Sequence, residues 1–188
     1  MPSVEAWGMY FVSTDQPLEK CNFIIDDVSD EDVVVKVAGC GVCHTDLGFL
    51  SGAVGTKHDL PLILGHEISG TVEVAGNNFQ NLVGKQVIIP AVLPCGECEL
   101  CKASHIKVPA RFLCELPDDL GKFKLHELSV IADAITTPYQ SMVRSGLKAG
   151  DLAIIIGTGG VGLYMAQHAH NAGATVIALD IDDAKIKT

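Results

Sequence analysis

The stretch LAIIIGTGGVGLYMAQHAHNAGATVIALD, residues 152–180, limits the folds open to this chain more than any other. An apolar run, LAIII, comes first, and a glycine cluster follows it. A helical stretch comes next, Gly173 breaks it, and a second apolar run, TVIAL, closes the segment. Strands apolar on both faces belong in a parallel sheet covered by helices. The segment therefore reads as a βαβ unit.

The cluster GTGGVG, residues 157–162, matches G-x-G-x-x-G between a predicted strand and a predicted helix. That context makes it a dinucleotide signature. Gly157 permits the tight turn, Gly159 lets backbone approach a pyrophosphate, and Gly162 lets helix and strand pack closely. Gly160 and Val161 complete the turn, where free N–H groups and the helix dipole favour phosphate. Asp180, at the end of the second strand, has the spacing of a ribose ligand; its charge would repel a 2′-phosphate, which favours NAD over NADP. His168 and His170 sit in the helix, and no functional role is expected for either.

The residues before this unit are punctuated by glycine and proline and read as β-rich. In EDVVVKVAG, Val33, Val35 and Val37 alternate with polar or smaller residues, which suits a half-buried strand. GTVEVAG and GKQVIIPAV are further strand candidates; no strong helical period shows before about Leu125, and helical stretches run from there to a C-cap at Gly146. The domain boundary is expected near residues 145–151. This gives a β-rich domain over 1–146 and the first βαβ of a dinucleotide-binding domain over 147–188. A complete doubly wound sheet has about six strands, so the second domain is expected to be incomplete.

The formal charge is −10 and 48% of residues are hydrophobic. An acidic, apolar chain argues against nucleic acid or an anionic membrane as the main partner. The opening MPSVEAWGMYF shows no signal-peptide pattern. Seven cysteines without one point to a reducing compartment, the cytoplasm, where clustered cysteines more often bind metal than form disulfides.

Cys40 and Cys43 lie in GCGVCHTD, and His66 and Glu67 in LGHE. A cysteine and a distant histidine brought together by the fold suit a zinc ion with a third ligand and one open position. Spacing leaves that third ligand open among Asp133, Cys40, Cys114 and His126. Farther on, PCGECELC places Cys95, Cys98 and Cys101 in step, with Cys114 out of step.

GCGVCHTD, GHE, PCGECELC and GTGGVG stand in the order seen in zinc-dependent medium-chain alcohol dehydrogenases, and the chain resembles that family over essentially its whole length. The resemblance implies a GroES-like catalytic domain followed by a Rossmann domain, with zinc and NAD as cofactors. It implies a small-molecule alcohol or ketone substrate and homo-oligomers at full length. Cys43 and His66 match two catalytic zinc ligands and Asp133 the third; Glu67 matches a neighbouring carboxylate able to approach the ion. Asp46 matches the carboxylate that orients the histidine, Thr45 the hydroxyl that takes the substrate proton, and His44 a residue near the cofactor pyrophosphate. Where many relatives end their proton relay in a histidine, this chain has Gly48.

The family's structural zinc takes four cysteines. Here Cys95, Cys98 and Cys101 remain, and the fourth place is Pro109. A block is therefore expected to be missing between about Ser104 and His105, leaving either an empty site or one completed by water, His105 or Cys114. Two stretches, HEISGTVEVAG and VIADAITTPYQS, are similar to the 6-hydroxycyclohex-1-ene-1-carbonyl-CoA dehydrogenases, which implies an alicyclic hydroxy-enoyl-CoA thioester as substrate. Two competing readings are a zinc-free quinone or enoyl reductase of the same superfamily and a catalytically inactive zinc-binding fragment.

Overall fold

Three consecutive valines, Val33, Val34 and Val35, are 0% exposed. Alternate residues of a strand point to opposite faces, so this strand must be covered on both sides. In the computed structural model, which describes residues 3–56, 59–91 and 105–186, it is. Val33 and Val35 pack with Ile68, Val72, Val87, Ile89, Ile106 and Val108. Val34 turns the other way, to Val4, Ala6, Ile25 and Val28. The half-buried strand expected from alternation is thus buried on both faces over its first half, because a second sheet lies behind it.

That second sheet begins with a hairpin: β1 (Val4–Phe11) pairs antiparallel with β2 (Glu19–Ile25). The strand that faces it is β3 (Asp32–Gly41), and a short helix, α1 (His44–Leu50), follows it. Strand β4 (Leu62–Ile63) joins the free edge of β1. The larger sheet is built by β5 (Glu67–Ala75), β6 (Gln86–Ile89), β7 (His105–Pro109) and β8 (Cys114–Glu115), in the order β7-β3-β5-β6-β8. Its recorded pairings are antiparallel. Both stretches read from the sequence as strands after β3 are present, as β5 and β6, and HIKVP forms β7 directly after the undescribed segment.

Helix α1 lies before Leu125, in a stretch that shows no strong helical period. Seven residues are too few to show a period, and the signal lies in its cap: the Asp46 carboxylate accepts a hydrogen bond from the Cys43 N–H at 2.9 Å. An acid three residues after the N-cap, reaching back to its N–H, is half of a capping box.

The segment Leu125–Ala132 is a 3-10 helix laid over β3 and β5. Ser69 donates to the Leu125 carbonyl at 2.7 Å. Gly39 allows the close approach, since a Cβ there would stand 2.6 Å from the His126 carbonyl oxygen.

The chain divides into two compact units, Met1–Ala132 and Asp133–Thr188. In the second, α2 (Thr136–Ser145) ends on Gly146 with φ 71°, the expected C-cap. It packs on α3 (Gly160–Asn171), where His168 lies 3.1 Å from the Ile135 carbonyl oxygen and edge-on to Tyr139. By compactness α2 groups with the second unit. Strands β9 (Leu152–Ile156) and β10 (Thr175–Leu179) pair in parallel, Ile154 opposite Ile177, with α3 as the crossover and α4 (Asp183–Ile186) following. This is the expected βαβ unit. The first unit is a β-rich domain, and the second holds the parallel βαβ pair expected from the sequence. Among the described residues no helix is long and apolar enough to cross a membrane.

Candidate metal centre and nucleotide turn

The last rung of the β3–β5 ladder pairs Gly41 with Glu67. Two residues beyond it on one strand is Cys43; one residue before it on the other is His66. The antiparallel register thus delivers a thiol and an imidazole, distant in sequence, to one end of the sheet. Gly65, with φ 109°, provides the bend before His66.

Asp46 serves both. It is 1% exposed. One carboxylate oxygen accepts from the Cys43 N–H at 2.9 Å, and the other stands 3.7 Å from His66 Nδ1. One buried carboxylate therefore holds the Cys43 backbone and faces the His66 ring. The facing Asp46 carboxylate, with a smaller contribution from Cys43, pushes the His66 imidazole up to about 9 against the opposing effect of burial.

Asp133 follows Ala132, a buried residue whose carbonyl accepts from the Ala91 N–H at 3.4 Å. The Thr137 hydroxyl donates to one Asp133 oxygen and the Thr137 N–H to its carbonyl at 2.8 Å. The ligand atoms of Cys43, His66 and Asp133 all lie within 4.8 Å of one another.

That donor set fits zinc. Bonds of about 2.0–2.3 Å in a tetrahedral site put ligand pairs up to roughly 3.8 Å apart. Each side chain therefore needs to move by only about half an ångström. Thiolate and carboxylate neutralise a dication, and three protein ligands leave a fourth position open. Of the four candidates left open by spacing, Asp133 is the one grouped with Cys43 and His66. Cys114 and His126 are exposed, and Cys40 contacts the Gly41 carbonyl.

Thr45 is exposed on α1, its Oγ1 3.7 Å from the Cys43 Sγ, and His44 is exposed at the first position of the helix. Glu67 is 5% exposed. Gly48 packs against Val54, whose N–H donates to the Gly48 carbonyl at 3.1 Å. Cys95, Cys98 and Cys101, with the structural zinc they would hold, lie outside the described residues, as does His58. His105 lies 3.1 Å from Glu73 and is buried on β7.

In the second unit, Gly157 has φ 93°, the conformation its turn requires. A Cβ on Gly162 would overlap the Gly157 carbonyl oxygen, the close packing expected of the third glycine. Gly159 is the N-cap of α3, and Gly160 and Val161 are exposed in its first turn. Asp180 does more than the sequence suggested. One of its oxygens accepts from the Thr158 N–H at 2.7 Å and the Thr158 hydroxyl at 3.1 Å; the other accepts from the Asp182 N–H at 3.0 Å. These donors, the Thr158 N–H first, pull its carboxyl down to about 2.

Sequence reasoning missed Thr137 and Thr158. Both are hydroxyls that orient a predicted carboxylate, and the only sequence signal is the i, i+4 spacing of Asp133 and Thr137.

Comparison with known proteins agrees with this architecture. Residues 29–144 match the alcohol dehydrogenase GroES-like domain. An alcohol dehydrogenase of Geobacillus stearothermophilus is 36% identical over 183 residues, covering 85% of this chain and 53% of that protein. An uncharacterized zinc-type alcohol dehydrogenase-like protein of Bacillus subtilis (strain 168) is 31% identical over 208 residues, with the same coverage of 85% and 53%. The structure of acetophenone reductase from Geotrichum candidum in complex with NAD superposes with a TM-score of 0.82 at 25% identity, covering 97% of this chain and 60% of that one. The chain belongs to the zinc-dependent medium-chain alcohol dehydrogenases, whose GroES-like domain it carries. It spans about half the length of the curated relatives it matches.

Proposed function

We propose that the protein of which these residues form part is an NAD-dependent alcohol dehydrogenase that holds its catalytic zinc through Cys43, His66 and Asp133. The observation that carries this reading is the grouping of a thiol, an imidazole and a carboxylate within 4.8 Å, in a chain of this family. When bound, zinc supplies a Lewis acid that eases loss of a hydroxyl proton. Thr45, on the first turn of α1, accepts that proton and passes it outward. Asp46 holds the Cys43 backbone and the His66 ring in place while the charge changes. Glu67 adds a negative charge beside the ligands.

The nicotinamide is the hydride acceptor. The turn of Gly157, Gly159, Gly160, Val161 and Gly162 seats its pyrophosphate, with His44 reaching the same group. Asp180 takes the adenosine ribose hydroxyls on the lone pairs that Thr158 and Asp182 leave open. The GroES-like domain is proposed to run over residues 1–146 and the nucleotide domain over 147–188. The substrate is a small alcohol or ketone. The narrower reading of an alicyclic hydroxy-enoyl-CoA thioester rests on the similarity of two sequence stretches alone, and a comparison of turnover on that thioester and on simple secondary alcohols tests it.

Metal content and NADH formation from an alcohol, measured on one preparation, test the main reading. Zinc with turnover is expected. Turnover without zinc would favour a quinone or enoyl reductase, and zinc without turnover an inactive zinc-binding domain.

A further inference from the structure

Glu67 stands directly across the ladder from Gly41. Opposed residues of an antiparallel pair carry their Cβ atoms about 4.5–5.5 Å apart, side by side on one face. Gly41 has no Cβ, and the Glu67 side chain uses the vacated space. A Cβ built on Gly41 would overlap Glu67 Oε2 outright and would stand 3.0 Å from Glu67 Cβ and Cδ. The carboxylate is therefore folded over the bare Cα of its cross-strand partner, at 5% exposure.

The backbone at Gly41 does not itself demand glycine, because Gly41 is absent from the positive-φ residues that include Gly52, Gly65 and Gly84. What the position demands is an empty Cβ site. The neighbouring chain makes that demand consequential: Cys43 is two residues on, and His66 is covalently next to Glu67.

We infer that Gly41 is a positioning residue, whose missing side chain is the seat of the Glu67 carboxylate and so sets where that negative charge lies beside the metal ligands. The inference rests on the zinc reading of the site. The atom met first is the far end of a flexible side chain, so alanine at this position displaces the carboxylate before it disturbs the sheet. Gly41→Ala thus acts as a change at Glu67 made from the opposite strand.

The test is cobalt(II) titration of the full chain, read by visible absorption and by affinity. Gly41→Ala is expected to retain the wild-type far-ultraviolet circular dichroism. Its cobalt spectrum should shift in the same sense as that of Glu67→Gln, with affinity lowered about 10–100-fold, as for other groups that tune ligands indirectly. The double variant Gly41→Ala/Glu67→Gln should be no weaker than Glu67→Gln alone, because both changes remove one interaction.

A wild-type cobalt spectrum in Gly41→Ala, or losses that add in the double variant, would overturn the role of Gly41 and leave the zinc reading standing. Wild-type protein that takes up no cobalt would overturn both. If Gly41→Ala does not fold, Gly41→Ala/Glu67→Ala removes the overlapping oxygen and should recover the folded state; failure to recover it would assign the glycine to sheet packing and overturn the inference.

Discussion

Asp46 shows how much one side chain can decide. Its two oxygens serve the Cys43 N–H and the His66 ring at once. Asp46→Ala should lower zinc affinity by about 10–100-fold, measured by chelator competition. It should also cost about 1 kcal/mol through the lost cap of α1, read in the thermal midpoint. Asp133→Ala should empty the site, and undiminished zinc content in that variant would refute the third ligand. Asp180 carries two roles. Its replacement by Ala should relax the preference for NAD over NADP, seen as a change in the ratio of dissociation constants. Its folded pKa lies below the unfolded value, so its contribution to stability is present above about pH 4 and is lost as the pH falls towards 2. The Thr158 amide should lose hydrogen-exchange protection over that window, and Asp180→Asn should remove the dependence. A flat profile in the unaltered chain would show that the carboxylate does not hold the turn.

At the scale of elements, β3 and the glycine turn do the organising. Ile106 of β7 packs against Val33 and Val35 of β3 in a fully enclosed cluster. Ile106→Ala should cost about 2–5 kcal/mol, measured by denaturant unfolding followed by circular dichroism. Gly162→Ala should abolish NADH binding, followed by cofactor fluorescence, because its Cβ has no room against the Gly157 carbonyl. The β9–α3–β10 unit was legible in the sequence because its apolar runs, its glycines and Asp180 all lie within one local stretch. Helix α1 was not, since seven residues carry no period. The doubly buried face of β3 was not either, since Val34 is exposed or buried according to whether the β1–β2 hairpin lies behind it.

For the whole molecule, the apolar residues of the second unit are the open account. Leu152, Ile154, Ile156, Ile177, Leu179 and Ile181 are exposed, Ile156 to 84%. Exposed apolar area on this scale promotes association. The 188-residue chain should bind a hydrophobic dye and self-associate with concentration, and Ile154→Lys with Ile177→Lys should reduce both. By itself the sequence determined which chemistries are present: a G-x-G-x-x-G turn with its acid, a Cys-His pair, an Asp ahead of a threonine. Each of these is a local pattern, written in neighbours along the chain. Only the tertiary structure decided which of them meet. The β3–β5 register brings Cys43 to His66, and the bare Cα of Gly41 makes room for Glu67. The physical reason is that strand pairing and side-chain overlap depend on distances in space between residues far apart in sequence, and no window along the chain contains them.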